Sequence, residues 1–364
     1  MGKGGARSLS KLLHARYEDG ALCIEDRVFY QIADILRCGD LLVLNNSQVM
    51  PCRYFVKVDS KESLVEILLV KIESRESKEK QIWQALAKPM RALKVGANIK
   101  LADGLFAKVL GRSDDRTRIR LLLYLEGDVF DGDASESVSK NRQFDSIDLA
   151  LNVTGYMPIP PYIRNGKSDA EDAETYQTVY AKAIGSIACP TAGLHFTDVI
   201  FDELKERGVQ CEFVTLHVGT SSFLPVKDLD ISSHQMEFER YSISAHTVAQ
   251  IVKAKKTGRR IVAVGTTSVR ALESAATAHP EFFDCAEDIT GSTDLFITPG
   301  YKFKIVDSMI TNFHQPCSTH LLLVAAFFGE SAIDSIYNHA LKKDYRFLSY
   351  GDAMFLDKPC ANEF

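Results

Sequence analysis

Three histidines stand in loops whose composition suits acid–base chemistry, at positions 195, 217 and 314. His195 closes the segment Pro190-Thr191-Ala192-Gly193-Leu194-His195, a turn-forming run just before a predicted helix. Histidine titrates near neutral pH and therefore suits the donation and acceptance of protons. A single histidine is more often structural, but His217 and His314 in loops of similar type favour a shared catalytic role.

The same three histidines could instead bind a metal ion, but their spacing argues against it. They are separated by 22 and 97 residues, and the chain holds no His-x-x-x-His or Cys-x-x-Cys pair. It also lacks a P-loop and a Gly-x-Gly-x-x-Gly run after a strand, so nucleoside triphosphate and NAD binding are weakly supported. We therefore expect no metal and no cofactor.

The elements that must position these loops alternate between strand and helix. Strands are predicted at 41–44, 211–218 and 260–264, and helices at 29–36, 198–207, 245–256 and from Val269 onward. This alternation predicts the α/β class, in which ligands bind beyond the carboxyl ends of the strands. Four polar loops follow predicted strands or precede helices in this way: 45–47, 217–222, 265–268 and 311–314.

The loop Gly265-Thr266-Thr267-Ser268 offers backbone N–H groups and hydroxyls at the start of the helix that carries Arg270. Such a helix start favours a carboxylate or another anion. The alternatives are a capped helix without a ligand, and an Arg270 that forms a structural ion pair.

A run of short predicted strands interrupts the α/β pattern near the N-terminus. Short β-like runs at 64–72, 81–87, 97–101, 105–110 and 117–124 predict a small antiparallel barrel. An acidic, serine-rich linker at 126–145 follows. We thus predict a three-layer α/β/α-type catalytic domain formed by residues 1–54 and 146–364, with an inserted antiparallel β-barrel at 55–145.

Composition limits the function classes. The net charge of −5 argues against a protein that coats nucleic acid through bulk electrostatics. No apolar run is long enough for a membrane helix, and eight scattered cysteines fit a reducing compartment. We expect a soluble, cytoplasmic monomer.

These loops together resemble the S-adenosylmethionine:tRNA ribosyltransferase-isomerase family of queuosine biosynthesis. The resemblance rests on ordered blocks between Leu41 and Met354, including Pro160–Ile163, Tyr176–Ala181, Pro190–Thr197, Val214–Gly219, Ala263–Arg270, Pro299–Phe303, Thr311–His314 and Ser349–Met354.

The resemblance implies transfer of the ribosyl part of S-adenosylmethionine to 7-aminomethyl-7-deazaguanine at the tRNA wobble position. The ribose isomerises, and epoxyqueuosine-tRNA, adenine and methionine are the products. S-adenosylmethionine is then a consumed substrate, and tRNA is the macromolecular partner. On this reading we predict His195, His217 and His314 as catalytic, with their individual roles open. The predicted S-adenosylmethionine contacts are Thr191, Gly193, Gly265, Thr266, Thr267, Ser268 and Arg270, and the predicted tRNA contacts are Tyr162, Arg164, Tyr301, Lys302 and Arg346.

The chain departs from the family pattern in three places. The N-terminal Arg-Asp-x-Ser-Arg-Leu block appears as Arg7-Ser8-Leu9-Ser10-Lys11-Leu12, one glycine is lost after Gly219, and Glu237 stands where a second histidine is common. Two rival functions remain at this stage, an S-adenosylmethionine-dependent methyltransferase and a non-catalytic RNA-binding module.

Overall fold

The computed structural model of the chain describes residues 7–58, 64–113, 116–126, 143–220, 234 and 236–358. The strands are β1 (Lys11–Glu18), β2 (Ala21–Val28), β3 (Leu41–Asn45), β4 (Ser47–Val49), β5 (Arg53–Lys57), β6 (Leu64–Arg75), β7 (Lys80–Lys88), β8 (Asn98–Ala102), β9 (Leu105–Arg112), β10 (Ile119–Leu125), β11 (Ala183–Ser186), β12 (Gln210–Leu216), β13 (Glu239–Ile243), β14 (Ile261–Val264), β15 (Ile289–Thr293), β16 (Ser308–Asn312) and β17 (Ala353–Asp357). The α-helices are α1 (Ile32–Ile35), α2 (Ile147–Thr154), α3 (Asp172–Thr175), α4 (Asp198–Glu206), α5 (Ala245–Lys256), α6 (Gly265–Ala278), α7 (Thr319–Phe328) and α8 (Glu330–Lys342). The chain divides into two compact units, Met1–Gln48 with Glu174–Phe364, and Val49–Ala173.

The first unit is built on a nine-stranded mixed sheet in the order β15-β13-β12-β3-β14-β16-β17-β1-β2. The four strands β12, β3, β14 and β16 run parallel to one another. Strand β17 runs antiparallel to β16 and parallel to β1, with Asn312 opposite Ala353 and Ala353 opposite Leu12. This register places the end of β16 and the start of β1 at the same edge of the sheet.

Strand β3 is buried on both faces, as its uninterrupted apolar sequence predicts. Leu41 and Val43 belong to a core formed with α5, α6, α7 and α8, whereas Leu42 and Leu44 belong to a second core formed with α1 and α4. Alternate side chains of a strand point to opposite faces, so helices cover this part of the sheet from both sides. The prediction of a mixed α/β protein with large sheets is confirmed.

The second unit contains a six-stranded antiparallel sheet in the order β5-β6-β7-β10-β9-β8, which is nearly closed and barrel-like. Inward side chains alternate with partly exposed ones along β7 and β9, as expected for a sheet that wraps around one core. All five β-runs predicted for this region are strands in the structure.

The bounds of the second unit differ from the predicted 55–145, because the segment after the barrel packs back onto β5. The guanidinium of Arg53 donates to the carbonyls of Ile159 and Gly166, and Tyr54 shares a hydrogen bond with Thr154. These side-chain bonds connect residues far apart in sequence, which a change of composition at 145 does not reveal. The predicted linker lies largely at 127–142, outside the described residues.

None of the described helices is by itself long and apolar enough to cross a membrane, and only α7 and α8 taken together, with a 114° bend between them, pass by length and composition.

Candidate active site

The polar loops singled out in the sequence meet at one edge of the large sheet. Strands β12, β3, β14 and β16 are parallel, so their carboxyl ends and the residues that follow lie along this edge. Leu216, Asn45, Val264 and Asn312 end these strands. The short helical segment Thr191–His195 packs against the same edge, beside β16 and α6.

A chain of hydrogen bonds holds His195 in this edge. Thr191 Oγ1 donates to Asn312 Oδ1 over 3.1 Å, which directs the Asn312 amide nitrogen toward His195 Nε2 at 3.1 Å. The His195 Nδ1 atom lies 2.7 Å from Ser10 Oγ, and Ser10 in turn donates to the Arg7 carbonyl over 3.2 Å. The donors are consistent only if Nε2 accepts and Nδ1 carries the proton. These hydrogen bonds therefore assign the neutral His195 imidazole to the tautomer that carries its proton on Nδ1.

The surroundings of His195 keep it neutral. Its side chain is 2% exposed and stacks on Phe29 with ring centroids 4.9 Å apart. Burial lowers its pKa to about 4, because the charged imidazolium would lose its water. Both ring nitrogens are occupied inside the protein, so His195 connects the N-terminal segment, the 191–195 turn and the end of β16.

The Thr191–His195 turn is fixed by close packing at Gly193. A Cβ atom at this position would lie 1.9 Å from the Tyr180 hydroxyl and 2.8 Å from Thr178 Cγ2. Only glycine fits there. Gly193 therefore packs against Thr178 and Tyr180 of the same unit, and its predicted contact with S-adenosylmethionine stays a prediction.

His217 begins the loop after β12. Its Nδ1 atom is buried and finds no hydrogen-bond partner among the described residues. Burial, assisted by Arg240, lowers its pKa to about 4. Gly185 in β11 approaches the ring so closely that a Cβ would lie 2.8 Å from Nδ1. Ser221 and Ser222, from the same predicted loop, lie outside the described residues.

His314 lies two residues beyond β16 and stacks on His320 of α7, with ring centroids 5.2 Å apart and an interplanar angle of 24°. His314 Nε2 lies 3.0 Å from Thr311 Oγ1, and its backbone N–H donates to the Tyr337 hydroxyl. Burial lowers the pKa of His314 well below 6.5, and the neighbouring His320 lowers it further. His320 was not predicted as a site residue, since it lies in a helix.

The prediction that a turn at 265–268 precedes a helix from Val269 is wrong in detail, because α6 already begins at Gly265. Gly265 lies close to Ala192, so the two glycine-containing segments meet. Ser268 Oγ donates to the Val264 carbonyl over 2.7 Å, so this hydroxyl is already engaged. Thr267 Oγ1 is buried without a partner among the described residues, and Thr266 lines the cleft described next.

A small, partly open cleft lies beside the first turn of α6. Its polar groups are Arg270, Thr266, Thr319 and His320, and its apolar lining is contributed by Met236, Leu295, Phe296, Ile297 and Leu323.

Arg270 is the charged group of this cleft. One guanidinium nitrogen pairs with the buried carboxylate of Glu239, and Nε donates to the Leu295 carbonyl over 3.1 Å. The third nitrogen, Nη2, is buried and has no hydrogen-bond partner among the described residues. Arg270 thus forms the ion pair considered as an alternative and also retains a donor for a further acceptor.

The predicted tRNA contacts are distributed over both units. Tyr162 is 51% exposed and Arg164 pairs with Asp172, both within the second unit. In the first unit, Lys302 is exposed, whereas the Tyr301 hydroxyl donates to Glu273 over 3.3 Å. Arg346 donates to the buried Asp352 over 2.9 Å while its side chain is 58% exposed.

Sequence reasoning missed Ser10, Glu239 and His320 as members of this region. Ser10 lies in the N-terminal block that departs from the family pattern, and its serine is one of the positions that the block retains. Glu239 and His320 could not be predicted as site residues from local sequence. Glu239 lies in a strand and His320 in a helix, and only tertiary contacts bring them to the site. Across the described ranges, no group of three or more His, Cys, Asp or Glu side chains is arranged to hold a metal ion.

A mixed α/β unit with polar side chains gathered beyond the carboxyl ends of its parallel strands defines the architecture of an α/β enzyme. The sequence profile described as "Queuosine biosynthesis protein" matches residues 4–356, and the chain belongs to this family. The resemblance found in the sequence is confirmed.

Relatives with assigned names agree with this membership. A protein of Finegoldia magna is 42% identical over 333 residues, which cover 92% of this chain and 88% of the relative. A protein of Polynucleobacter asymbioticus is 43% identical over 352 residues, which cover 96% of this chain and 91% of the relative. Both are named S-adenosylmethionine:tRNA ribosyltransferase-isomerase. A crystal structure of an S-adenosylmethionine tRNA ribosyltransferase from Thermotoga maritima is 32% identical, with 96% of this chain and 92% of that chain covered and a TM-score of 0.47.

Proposed function

We propose that this protein transfers and isomerises the ribosyl group of S-adenosylmethionine onto 7-aminomethyl-7-deazaguanine in tRNA, with release of adenine and methionine. Relatives that span nearly the whole chain at 42–43% identity are named as S-adenosylmethionine:tRNA ribosyltransferase-isomerases. His195, His217 and His314 stay proposed participants in its proton transfers. We also propose that the catalytic unit has three layers, which is supported by the alternation of β3 side chains between two helix-covered cores.

The observation that carries the substrate assignment is the unpartnered donor of Arg270. A buried guanidinium N–H without an acceptor among the described residues is costly, and a carboxylate is the acceptor that it binds most strongly. The methionine end of S-adenosylmethionine supplies such a carboxylate. The apolar side chains of Leu295, Ile297 and Leu323 suit the carbon atoms beside the sulfonium.

Charge balance around Arg270 is consistent with this ligand. Glu239 neutralises Arg270 and is itself held by the Gly219 backbone N–H over 2.7 Å. A zwitterionic amino acid brings one negative and one positive group, so its carboxylate would meet Arg270 and its ammonium would lie near the Glu239 carboxylate. Such a ligand adds no net charge to the buried pair, which limits the desolvation cost.

The acceptor is proposed to be tRNA, bound through local contacts rather than through bulk charge. The first unit offers the exposed Lys302 beside Tyr301, and the half-exposed Arg346 oriented by Asp352. A lysine contributes by neutralising phosphate, and an aromatic ring by stacking on an unpaired base. Tyr162 and Arg164 are retained as candidates on the second unit. We also propose that the protein works as a cytoplasmic monomer without metal or cofactor.

One assay tests the function directly. The purified protein is incubated with S-adenosylmethionine and with tRNA that carries the precursor base, and the small products are identified by chromatography and mass spectrometry. Adenine and methionine in equal amounts, with a mass gain on the tRNA, are the expected result. S-adenosylhomocysteine would instead indicate a methyltransferase, and binding of tRNA without consumption of S-adenosylmethionine would indicate a non-catalytic module.

A further inference from the structure

His320 differs from the other histidines of the active-site edge in where its ring lies. It is the second residue of α7 and lines the cleft together with Arg270 and Thr266. One face of its ring stacks on His314. The imidazole is therefore held in a fixed plane, with its edge available to a molecule in the cleft.

The ring nitrogens of His320 are also uncommitted. Within the described residues, no side chain or backbone group forms a hydrogen bond with them. The nitrogens of His195 are both engaged by Ser10 and Asn312, and His314 Nε2 is engaged by Thr311. His217 Nδ1 is also without a partner among the described residues, but His217 does not line the cleft. A group that exchanges protons with a ligand must reach it, and His320 meets this requirement in the cleft.

We infer that His320 is the base that accepts a proton from the carbon beside the sulfonium of S-adenosylmethionine. The C–H bond breaks, an N–H bond forms on the imidazole, and the electron pair remains on the carbon next to the positively charged sulfur. The cationic substrate thereby becomes a neutral ylide, and His320 becomes an imidazolium, so charge is conserved. The inference rests on the proposed function and names the residue for one of its steps.

The electrostatics of the cleft set the protonation state of His320. Burial lowers the pKa of His320 to about 4, with a further lowering contribution from the positive charge of Arg270. The groups that face it are Arg270 from α6 and His314 from the segment before α7, with Glu239 on β13 behind Arg270. The imidazole is thus neutral throughout the physiological range, as a base must be before it accepts a proton, and its proton affinity is low while the cleft is empty. When a carboxylate binds Arg270, part of that positive charge is balanced, which raises the proton affinity of His320 as the substrate enters.

The test compares His320→Gln and His320→Ala with His246→Gln, a control at an exposed histidine of α5 that pairs with Glu212. S-adenosylmethionine binding is measured by calorimetry without tRNA, and turnover is measured as adenine release with precursor tRNA. We expect both His320 variants to bind within about threefold of the wild type and to turn over roughly 10²–10⁴-fold more slowly. Added imidazole is expected to restore part of the turnover of His320→Ala, and His246→Gln is expected to match the wild type.

Two results would overturn the assignment. Turnover of His320→Gln close to that of the wild type would exclude a base at this position. Parallel losses of binding and turnover that imidazole does not rescue would assign His320 a packing role instead. If the wild-type protein released no adenine, the proposed function itself would have failed, which keeps the two failures distinguishable.

Discussion

The side-chain amide of Asn312 donates to His195 Nε2 over 3.1 Å and so joins the end of β16 to the Thr191–His195 turn. The amide is itself oriented by Thr191, which donates to its oxygen. Because Nε2 accepts this hydrogen bond, it carries no proton, and the proton of the neutral ring lies on Nδ1. The relationship fixes the orientation of the His195 ring and makes its protonation state testable.

Replacement of the amide should reverse the protonation of His195. In Asn312→Asp, a carboxylate oxygen faces Nε2, so the ring must take a second proton to make the bond. We expect the pKa of His195 to rise from about 4 to above its ordinary value of 6.5, because a carboxylate stabilises the imidazolium. NMR titration of the imidazole carbon-bound protons measures this, with Asn312→Ala as the control that removes the donor without adding charge. An unchanged pKa in Asn312→Asp would contradict the assigned tautomer.

The buried His195 should also make stability depend on pH. Its folded-state pKa of about 4 lies below the unfolded value of 6.5, so the unfolded chain binds the proton more readily. The contribution of His195 to stability is therefore complete above pH 6.5 and is lost as pH falls toward 4, by up to about 3 kcal/mol. Urea unfolding of wild type and His195→Gln at neutral and mildly acidic pH measures the difference. We expect the wild type to lose more free energy of unfolding than the variant, and equal losses would count against the effect.

Replacement of Arg270 should lower S-adenosylmethionine affinity in addition to the stability that is lost with its ion pair. Arg270→Ala leaves the Glu239 carboxylate buried and uncompensated, so a stability loss of about 3–5 kcal/mol is expected. We also expect S-adenosylmethionine affinity to fall at least about tenfold, because a charged hydrogen bond to the carboxylate is lost. Arg260→Ala is the matched control, since Arg260 is also buried and pairs with Asp40 and Asp357. Loss of affinity in both variants to the same degree would assign the effect to stability.

A methyl group at Gly193 should destabilise the protein through a steric clash, and a second substitution should partly relieve that clash. In Gly193→Ala the new Cβ meets the Tyr180 hydroxyl, and we expect a loss of about 1–3 kcal/mol in the free energy of unfolding. Tyr180→Phe removes that oxygen, so the double variant should be more stable than the sum of the single changes predicts. Thermal unfolding of the four proteins completes the cycle, and strict additivity would show that the clash lies elsewhere.

Lys302 should contribute to tRNA binding through phosphate. Lys302→Ala is expected to weaken tRNA binding at low salt. The slope of log affinity against log salt concentration should become shallower by about one, because about one fewer counterion is released. Filter binding across a salt series measures this, with the exposed Lys256 of α5 replaced by alanine as the control. An unchanged salt slope in Lys302→Ala would remove this residue from the interface.

The alternation of apolar and polar segments was sufficient to predict the three parallel strands β3, β12 and β14 and the helices near them, whereas β1, β2, β13 and β15–β17 were not predicted. Helix α5 has the predicted bounds, and β3, β14 and α4 differ from prediction by one residue at an end. These elements can be predicted because their signals are local. Ser244 and Thr197 are typical N-cap residues, and the strands are apolar runs. The start of α6 was placed at Val269 instead of Gly265, because glycine and threonine are typical of turns, and Gly265 itself has a positive φ of 84°.

The amino-acid sequence by itself determined the family, the strand–helix order and the polar loops at the sheet edge, because these depend on residue type and local spacing. Only the tertiary structure decided which histidines are bonded at their ring nitrogens among the described residues and which one lines the cleft. His195, the most prominent in the sequence, is bonded at both nitrogens by Ser10 and Asn312, whereas His320 in a helix faces the cleft. The reason is physical: the proton affinity and accessibility of an imidazole are set by partners that are 185 and 117 residues away for His195, and no local pattern encodes such contacts.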